Sequence, residues 1–336
     1  MSETVSSNGN INSGSLDPEL KKTTPGSLRY KGRFAQTLIY LGKFLRMFAY
    51  QNDWKVLPMG ALIAAVVTLV VGQNLFVTQE GTINGSFALT CCCIWNGFFN
   101  SIQVVCRERG IVKREHRAGL HVTSYIAAHM IYQLILCLAQ TGITLAICRV
   151  AGVKMPAVGV VTRFGILDLG ITIFLISYAA DMFALMVSCI VKTTTTAMTV
   201  MPFLLIFQLI FSGTFFELTG IAQKITALTI SRWGIESICA VGQYNQQPMV
   251  TLWNTLFQFR NVEYMGTKPL LEIIKKVEAE GKVNDFLIWS GQNNFRPQYE
   301  ATVANVLQNW GALVAILAVS AMIAVIALKF IDRDKR

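Results

Sequence analysis

From Lys55 onward the chain alternates between long apolar blocks and shorter polar stretches. Six blocks stand out, at residues 56–77, 83–105, 120–148, 160–191, 197–216 and 310–329. Each is about the length, roughly 20 residues, that a helix needs to cross about 30 Å of hydrocarbon. The third and fourth are longer, which predicts tilt or extension past the bilayer. Ahead of them, Phe34, Leu38, Leu41, Leu45 and Phe48 recur at alternating steps of four and three, while Gln36, Lys43 and Tyr50 fall on the other side. That spacing predicts one amphipathic helix over 31–55, and a basic helix of this kind beside a span belongs in the membrane interface. Residues 1–30 are rich in Ser, Asn, Gly and Thr, contain Pro18 and Pro25 and lack an apolar run, so they read as a disordered N-terminal tail and not as a signal peptide. Residues 217–309 carry eight basic and eight acidic residues, and Leu270, Leu271, Ile273, Ile274 and Val277 predict an amphipathic helix inside a small folded cap. The pattern as a whole predicts an all-α membrane protein: six transmembrane helices over 56–336, with a large extracytoplasmic loop before the last.

Composition supports this reading. Of 336 residues, 53% are hydrophobic and 14% charged, against about 25% charged in a soluble domain; a soluble enzyme and a disordered chain are both excluded. The net charge of +10 could indicate nucleic acid, but no nucleic-acid motif accompanies it. With the N-terminus inside, 18 of the 29 Lys and Arg fall in cytoplasmic segments and 3 in the short outer loops, which predicts cytoplasmic termini. Those three, Arg149, Lys154 and Arg163, run against the rule and make the boundaries of the third and fourth spans the least defined. The eight cysteines show neither a CxxC pair nor metal-ligand spacing with histidine, so they read as small packing residues, with no metal site. Absent disulfides and a short tail fit a bacterial plasma membrane.

The densest chemistry lies in Cys106 to Tyr125, which puts Glu108, Arg109, Lys113, Arg114, Glu115 and Arg117 between two apolar blocks. A loop that only fixes topology needs Lys and Arg but not two embedded glutamates; a helix here could present both charge signs to a protein. Glu108, Arg109, Arg114, Glu115, Gly119, Ser124 and Tyr125 together resemble the loop after the second span of G-subfamily ABC transporters. Three more stretches agree in order. Arg33-Phe34 through Gln36, Leu41 and Arg46 is similar to that family's elbow helix, Phe211-Ser212-Gly213 to the motif ending its fifth span, and Arg232-Trp233-Gly234-Ile235-Glu236 to the Arg-Tyr-Gly segment of its re-entrant region.

The resemblance, over about residues 31–336, implies the permease domain of a type-2 ABC exporter. Residues 106–119 would then be a cytoplasmic coupling helix, with Glu108, Arg109, Lys113, Arg114 and Glu115 meeting an ATPase. The chain has no GxxxxGK[ST] segment, so the ATPase, with its ATP and Mg, is expected on another polypeptide. A second permease subunit, identical or related, and the lipid bilayer complete the expected partners; nucleic acid is not among them. By the same resemblance Cys92, Cys93 and Asn96 on the second span and Pro202, Ile206 and Leu209 on the fifth line a substrate cavity. Asn100 joins them, one turn from Asn96 on the same face. Phe215 and Phe216 stand where two bulky residues close the cavity outward, with Thr214 replacing a usual apolar one. Arg232, Trp233, Gly234 and Glu236 mark the re-entrant region.

Several polar groups have plainer readings. Asn96 and Asn100 can bond between helices without touching substrate. Asp181, deep in the fourth block, is expected to bond to hydroxyls such as Ser177 or Tyr178 or to a basic residue, and Asp168 to pair with Arg163. His116 and His121 read as solvated or interfacial, and Thr193–Thr196 as a short turn. No nucleophile with a base and no metal cluster lies in the spans, so no catalytic residue is expected. A non-transporting scaffold or sensory component with this fold, or more remotely an intramembrane enzyme, stays open as an alternative.

Overall fold

Threonine side chains cap the starts of three of the helices. The computed structural model describes residues 32–50, 53–214, 219–263 and 266–330; the tail predicted over 1–30 and the gate residues Phe215 and Phe216 lie outside them. Among the described residues the fold is 78% helix with no strand, as expected where backbone polar groups must be satisfied within each segment. The order is α1 (Arg33–Tyr50), α2 (Val56–Val71), α3 (Gln79–Ser101), α4 (Val104–Arg117), α5 (Val122–Val150), α6 (Gly165–Ile190), α7 (Thr194–Ile210), α8 (Ile221–Thr226), α9 (Ile230–Val241), α10 (Thr251–Gln258), α11 (Pro269–Ala279), α12 (Val283–Asn293) and α13 (Val303–Lys329). Thr78, Thr193 and Thr302 accept the N–H of Gly81, Thr196 and Asn305 and so start α3, α7 and α13. Thr193 is thus an N-cap in the expected short turn.

Among the described residues four helices are long and apolar enough to cross a membrane: α3 running on into α4, α5, α6 and α13. The helices at the first and fifth predicted spans are shorter. With 16 residues in α2 and 17 in α7, each extends about 24–26 Å at 1.5 Å per residue, less than the hydrocarbon thickness. The fourth block also starts late. Residues 160–164 are not helical, because Asp168 draws them into a loop: its carboxylate accepts the N–H groups of Val160 at 2.6 Å, Val161 at 2.9 Å and Thr162 at 2.9 Å. This replaces the expected pairing of Asp168 with Arg163.

Helix α6 is the centre, with α3, α5, α9 and α13 packed around it. Its contact with α3 is closest at Gly97, where a Cβ would sit 2.6 Å from the Ser177 carbonyl oxygen and 2.7 Å from the Asp181 nitrogen. Polar bridges join the same helices: Gln133 to Ser101 at 2.8 Å, Trp310 to Thr172 at 3.0 Å, and Asn100 to Gln140 reciprocally at 2.9 and 3.1 Å. Such bonds contribute about 0.6 kcal/mol each in helical membrane proteins. Large apolar side chains face outward instead, Leu69 at 78% exposure and Phe203 at 69%, which is costly in water and neutral in lipid.

The segment after α7 does form helices, and the expected amphipathic helix appears as α11, with Ile274 buried. Its α10–α12 part is pinned to the start of α3. Glu80 caps α10 by accepting the N–H of Val250 at 3.0 Å and Thr251 at 2.7 Å, and Gln79 donates to the Gly291 carbonyl at 2.9 Å. Gly97→Ala tests the central packing: the methyl meets backbone on α6, so more than about 1 kcal/mol of stability should be lost. An unchanged melting temperature of the detergent-solubilised protein would show that α3 and α6 do not meet there.

Candidate functional site

Helix α4 starts where α6 ends, and each end satisfies the other. The last carbonyls of a helix and the first N–H groups of the next have no partners of their own. Here Ser188 Oγ of α6 accepts the N–H groups of Val105 at 3.1 Å and Cys106 at 3.3 Å. In return Arg109 donates to the carbonyls of Cys189 at 2.8 Å and Val191 at 3.1 Å, a cation at a helix C-terminus. The far end of α4 closes as a Schellman motif: Leu120 donates to Glu115 at 2.9 Å and Gly119 to His116 at 3.1 Å. Gly119 sits there at φ 103°, a conformation that glycine adopts without penalty.

A second grip comes from α1. Lys43 meets the buried Glu108 at 3.1 Å, and the Tyr40 hydroxyl donates to Glu115 at 2.6 Å. Burial, and then the Glu115 carboxylate, raise the Tyr40 phenol above its ordinary pKa, so it remains the donor. Gln36 donates to the Gly119 carbonyl at 3.3 Å and accepts the His121 N–H at 2.9 Å. Both glutamates of the charged segment are therefore engaged by α1, and Arg109 by α6. They do not present two charge signs outward, as their spacing had allowed. The exposed residues of α4 are Arg107, Gly110, Ile111, Arg114 and Arg117, with Lys113 half-buried.

The residues expected to line a cavity divide into two sets. Pro202, Ile206 and Leu209 are exposed on α7, whereas Cys92, Cys93, Asn96 and Asn100 are buried within the chain. Asn100 is held by Gln140, and Asn96 packs where α2 comes close, since a Cβ on Gly60 would lie 3.3 Å from its Oδ1. The open face of α3 is one residue, about 100° of helix rotation, out of register with that expectation: Cys91 is half-buried, and Trp95 and Phe99 are exposed. A cleft of about 10 Å³ brings Cys91 and Trp95 against Leu205 and Leu209 of α7 and Ser231 of α9.

Gln208 was not picked out by sequence, although an amide in an apolar helix was the signal. Its side chain accepts the N–H of Ile230 at 2.9 Å and Ser231 at 3.2 Å and so caps α9 from α7. Phe211 of the Phe-Ser-Gly stretch accepts from Thr229 at 3.1 Å, and Gly213 takes φ 73°. In α9, Arg232 pairs with Glu236 at 3.0 Å and donates to Thr226 at 2.8 Å, while Trp233 donates to the Ala227 carbonyl. Burial raises the Glu236 carboxyl above its usual value, and Arg232 offsets part of that shift. Gly234 lets α9 approach α3 and α6, for a Cβ would lie 2.9 Å from Thr90 and 3.0 Å from Ile176.

Asp181 meets the Ser101 hydroxyl, as expected of a neighbouring hydroxyl though not of Ser177 or Tyr178, and its Oδ2 accepts from the Cys137 thiol at 3.5 Å. Among the described residues no group of three His, Cys, Asp or Glu could hold a metal ion.

Two comparisons bear on this arrangement. Residues 42–241 match the sequence model of the ABC-2 type transporter family. An ABC transporter ATP-binding/permease protein of Mycobacterium tuberculosis is 28% identical over 172 residues, which is 50% of this chain and 18% of that protein. The chain thus spans less than a fifth of that relative's length. The matched span covers the second half of α1 and all of α2 to α9, so it holds Lys43, α4, the α3–α7 cleft and α9 but not Gln36 or Tyr40, and the chain belongs to the ABC-2 type transporter family.

Proposed function

We propose that this chain is the permease subunit of an ATP-driven exporter, working as a dimer with an identical or related subunit. The observation that carries it is α4: a charged helix fixed at both ends and along one side, with Ile111 and Arg114 left facing outward. In this reading α4 is the coupling helix, α1 is the interfacial elbow, and the outward face of α4 meets a cytoplasmic ATP-binding cassette ATPase that binds ATP and Mg. Helices α2 and α7, lengthened by their flanking turns, complete six spans, with both termini cytoplasmic, and residues 217–309 form the extracytoplasmic cap. The bacterial plasma membrane is the proposed location.

The substrate path runs along the open faces of α3 and α7 at the dimer axis. Trp95, Phe99, Ile206 and Leu209 line it, Pro202 loosens α7 by removing a backbone donor, and Asn96 supports the wall from behind with Cys92 and Cys93. Asn100 holds α3 to α5. Phe215 and Phe216 are the proposed outer gate, and Arg232, Trp233, Gly234 and Glu236 of α9 the proposed re-entrant region. The apolar lining suits an amphipathic or lipid-like substrate.

Three outcomes test this. Arg114→Ala should weaken ATPase binding up to about fivefold, the worth of an exposed ion pair; unchanged affinity in a detergent pull-down counts against α4 as the contact. Tyr40→Phe removes a charge-assisted bond worth about 1.5–3 kcal/mol. Reconstituted complexes carrying it should hydrolyse ATP but transport poorly, and full transport would show that the α1 grip transmits nothing. Trp95→Ala should weaken substrate stimulation of the ATPase about fivefold, as for a truncated aromatic contact; a wild-type response would remove Trp95 from the path.

A further inference from the structure

The Ser212–Gly213 turn after α7, the short helix α8, the first turns of α9 and residues 296–299 line a cavity of about 380 Å³. Small-molecule sites run from roughly 300 to 1,000 Å³, so this one has room for a small solute. Of its lining, Gln223 and Gln298 are exposed, Arg232, Glu236 and Arg296 half-buried, and Tyr299 is 4% exposed.

Charge decides what such a cavity can hold. Arg232 is committed to Glu236 at 3.0 Å and to Thr226 at 2.8 Å. Arg296 is not committed. Asn245 fixes its backbone, accepting its N–H and donating to its carbonyl, both at 3.0 Å. Its guanidinium, which carries five N–H donors, has no hydrogen bond or ion pair among the described residues. The three charged side chains of the lining therefore leave one net positive charge.

Tyr299 supplies a second open donor. Its ring packs edge-on against Tyr244, 5.0 Å between centroids. Its hydroxyl makes no hydrogen bond among the described residues but, unlike that of Ser237 in α9, is not shut off from solvent. Burial raises this phenol above its ordinary pKa, and the Arg296 charge offsets part of the shift, so the group stays protonated and able to donate. A partly buried cation and a phenol thus share one cavity without an acceptor. Among the described lining residues Ile235 is the only aliphatic one, which leaves no apolar sleeve for an acyl chain.

We propose that this cavity binds a small soluble anion through an oxyanion group, a carboxylate or phosphate, that accepts from the Arg296 guanidinium and the Tyr299 hydroxyl. Glu236 opposes a second negative charge there. The occupant ties α9 to the turn that leads into α13. The binding depends neither on α4 as an ATPase contact nor on the proposed substrate path.

Calorimetric titration of the full chain in phosphatidylcholine nanodiscs with inorganic phosphate tests this. One saturable site per chain is expected, with no response to choline. Arg296→Gln should weaken binding about tenfold, the worth of a charge-assisted hydrogen bond. Tyr299→Phe, which keeps the ring on Tyr244, should weaken it about threefold, as for a neutral one. Glu236→Gln should strengthen it, which loss of structure in α9 would not do. Absence of saturable phosphate binding, an equal response to choline, or unchanged affinity in Arg296→Gln overturns the proposal. The Arg296 side chain has no partner to lose among the described residues, so its variant should fold, and an unaltered melting temperature checks that. Loss of phosphate binding in phosphatidylglycerol nanodiscs would make the occupant a lipid headgroup and overturn the assignment to a soluble anion. No ATPase and no transported substrate take part in the titration, so its failure leaves the transport reading standing.

Discussion

A helix that ends away from water must hand its last carbonyls to something. At the end of α6 the recipient is the start of the next charged helix, through Arg109, while Ser188 of α6 receives the first N–H groups of α4. Buried backbone polar groups left unpaired are rare because each costs about as much as a lost hydrogen bond, so this exchange locks the position of α4 to the central helix of the bundle. The grip by Tyr40 and Lys43 then fixes its rotation. Displacing α4 means breaking bonds to α6 and to α1 together.

Much of this was legible in the residues. The stripe from Phe34 to Phe48 foretold α1, and the apolar blocks foretold the long helices within a few residues at most ends. The two glutamates of the charged segment stood out in the sequence, but their direction was not readable. Glu108 and Glu115 face α1, and only three-dimensional packing places Lys43 and Tyr40 beside them. The cavity-lining residues show the same limit. Asn96 and Asn100 share a face, as one-turn spacing requires, yet which face looks inward depends on α2 and α5, which are distant in sequence. The late start of α6 had no apolar signature either, because a single buried carboxylate, Asp168, pulls residues 160–162 out of helix.

Polar groups inside the bundle serve mostly to join helices. Gln133 with Ser101, Gln140 with Asn100 and Trp310 with Thr172 each cross between neighbours, and a polar side chain in lipid gains by finding such a partner. Ser86, Thr90, Tyr125, His129 and Thr141 depart from that rule.

The amide of Gln208 has a mechanical meaning. It sits on α7, a helix already weakened by Pro202, and holds two backbone N–H groups at the start of α9. Any swing of the upper half of α7 therefore drags α9 with it, and Gly234 has kept α9 tight against α3 and α6. One side chain thus ties α7 to α9, and the two helices cannot part without freeing two backbone N–H groups.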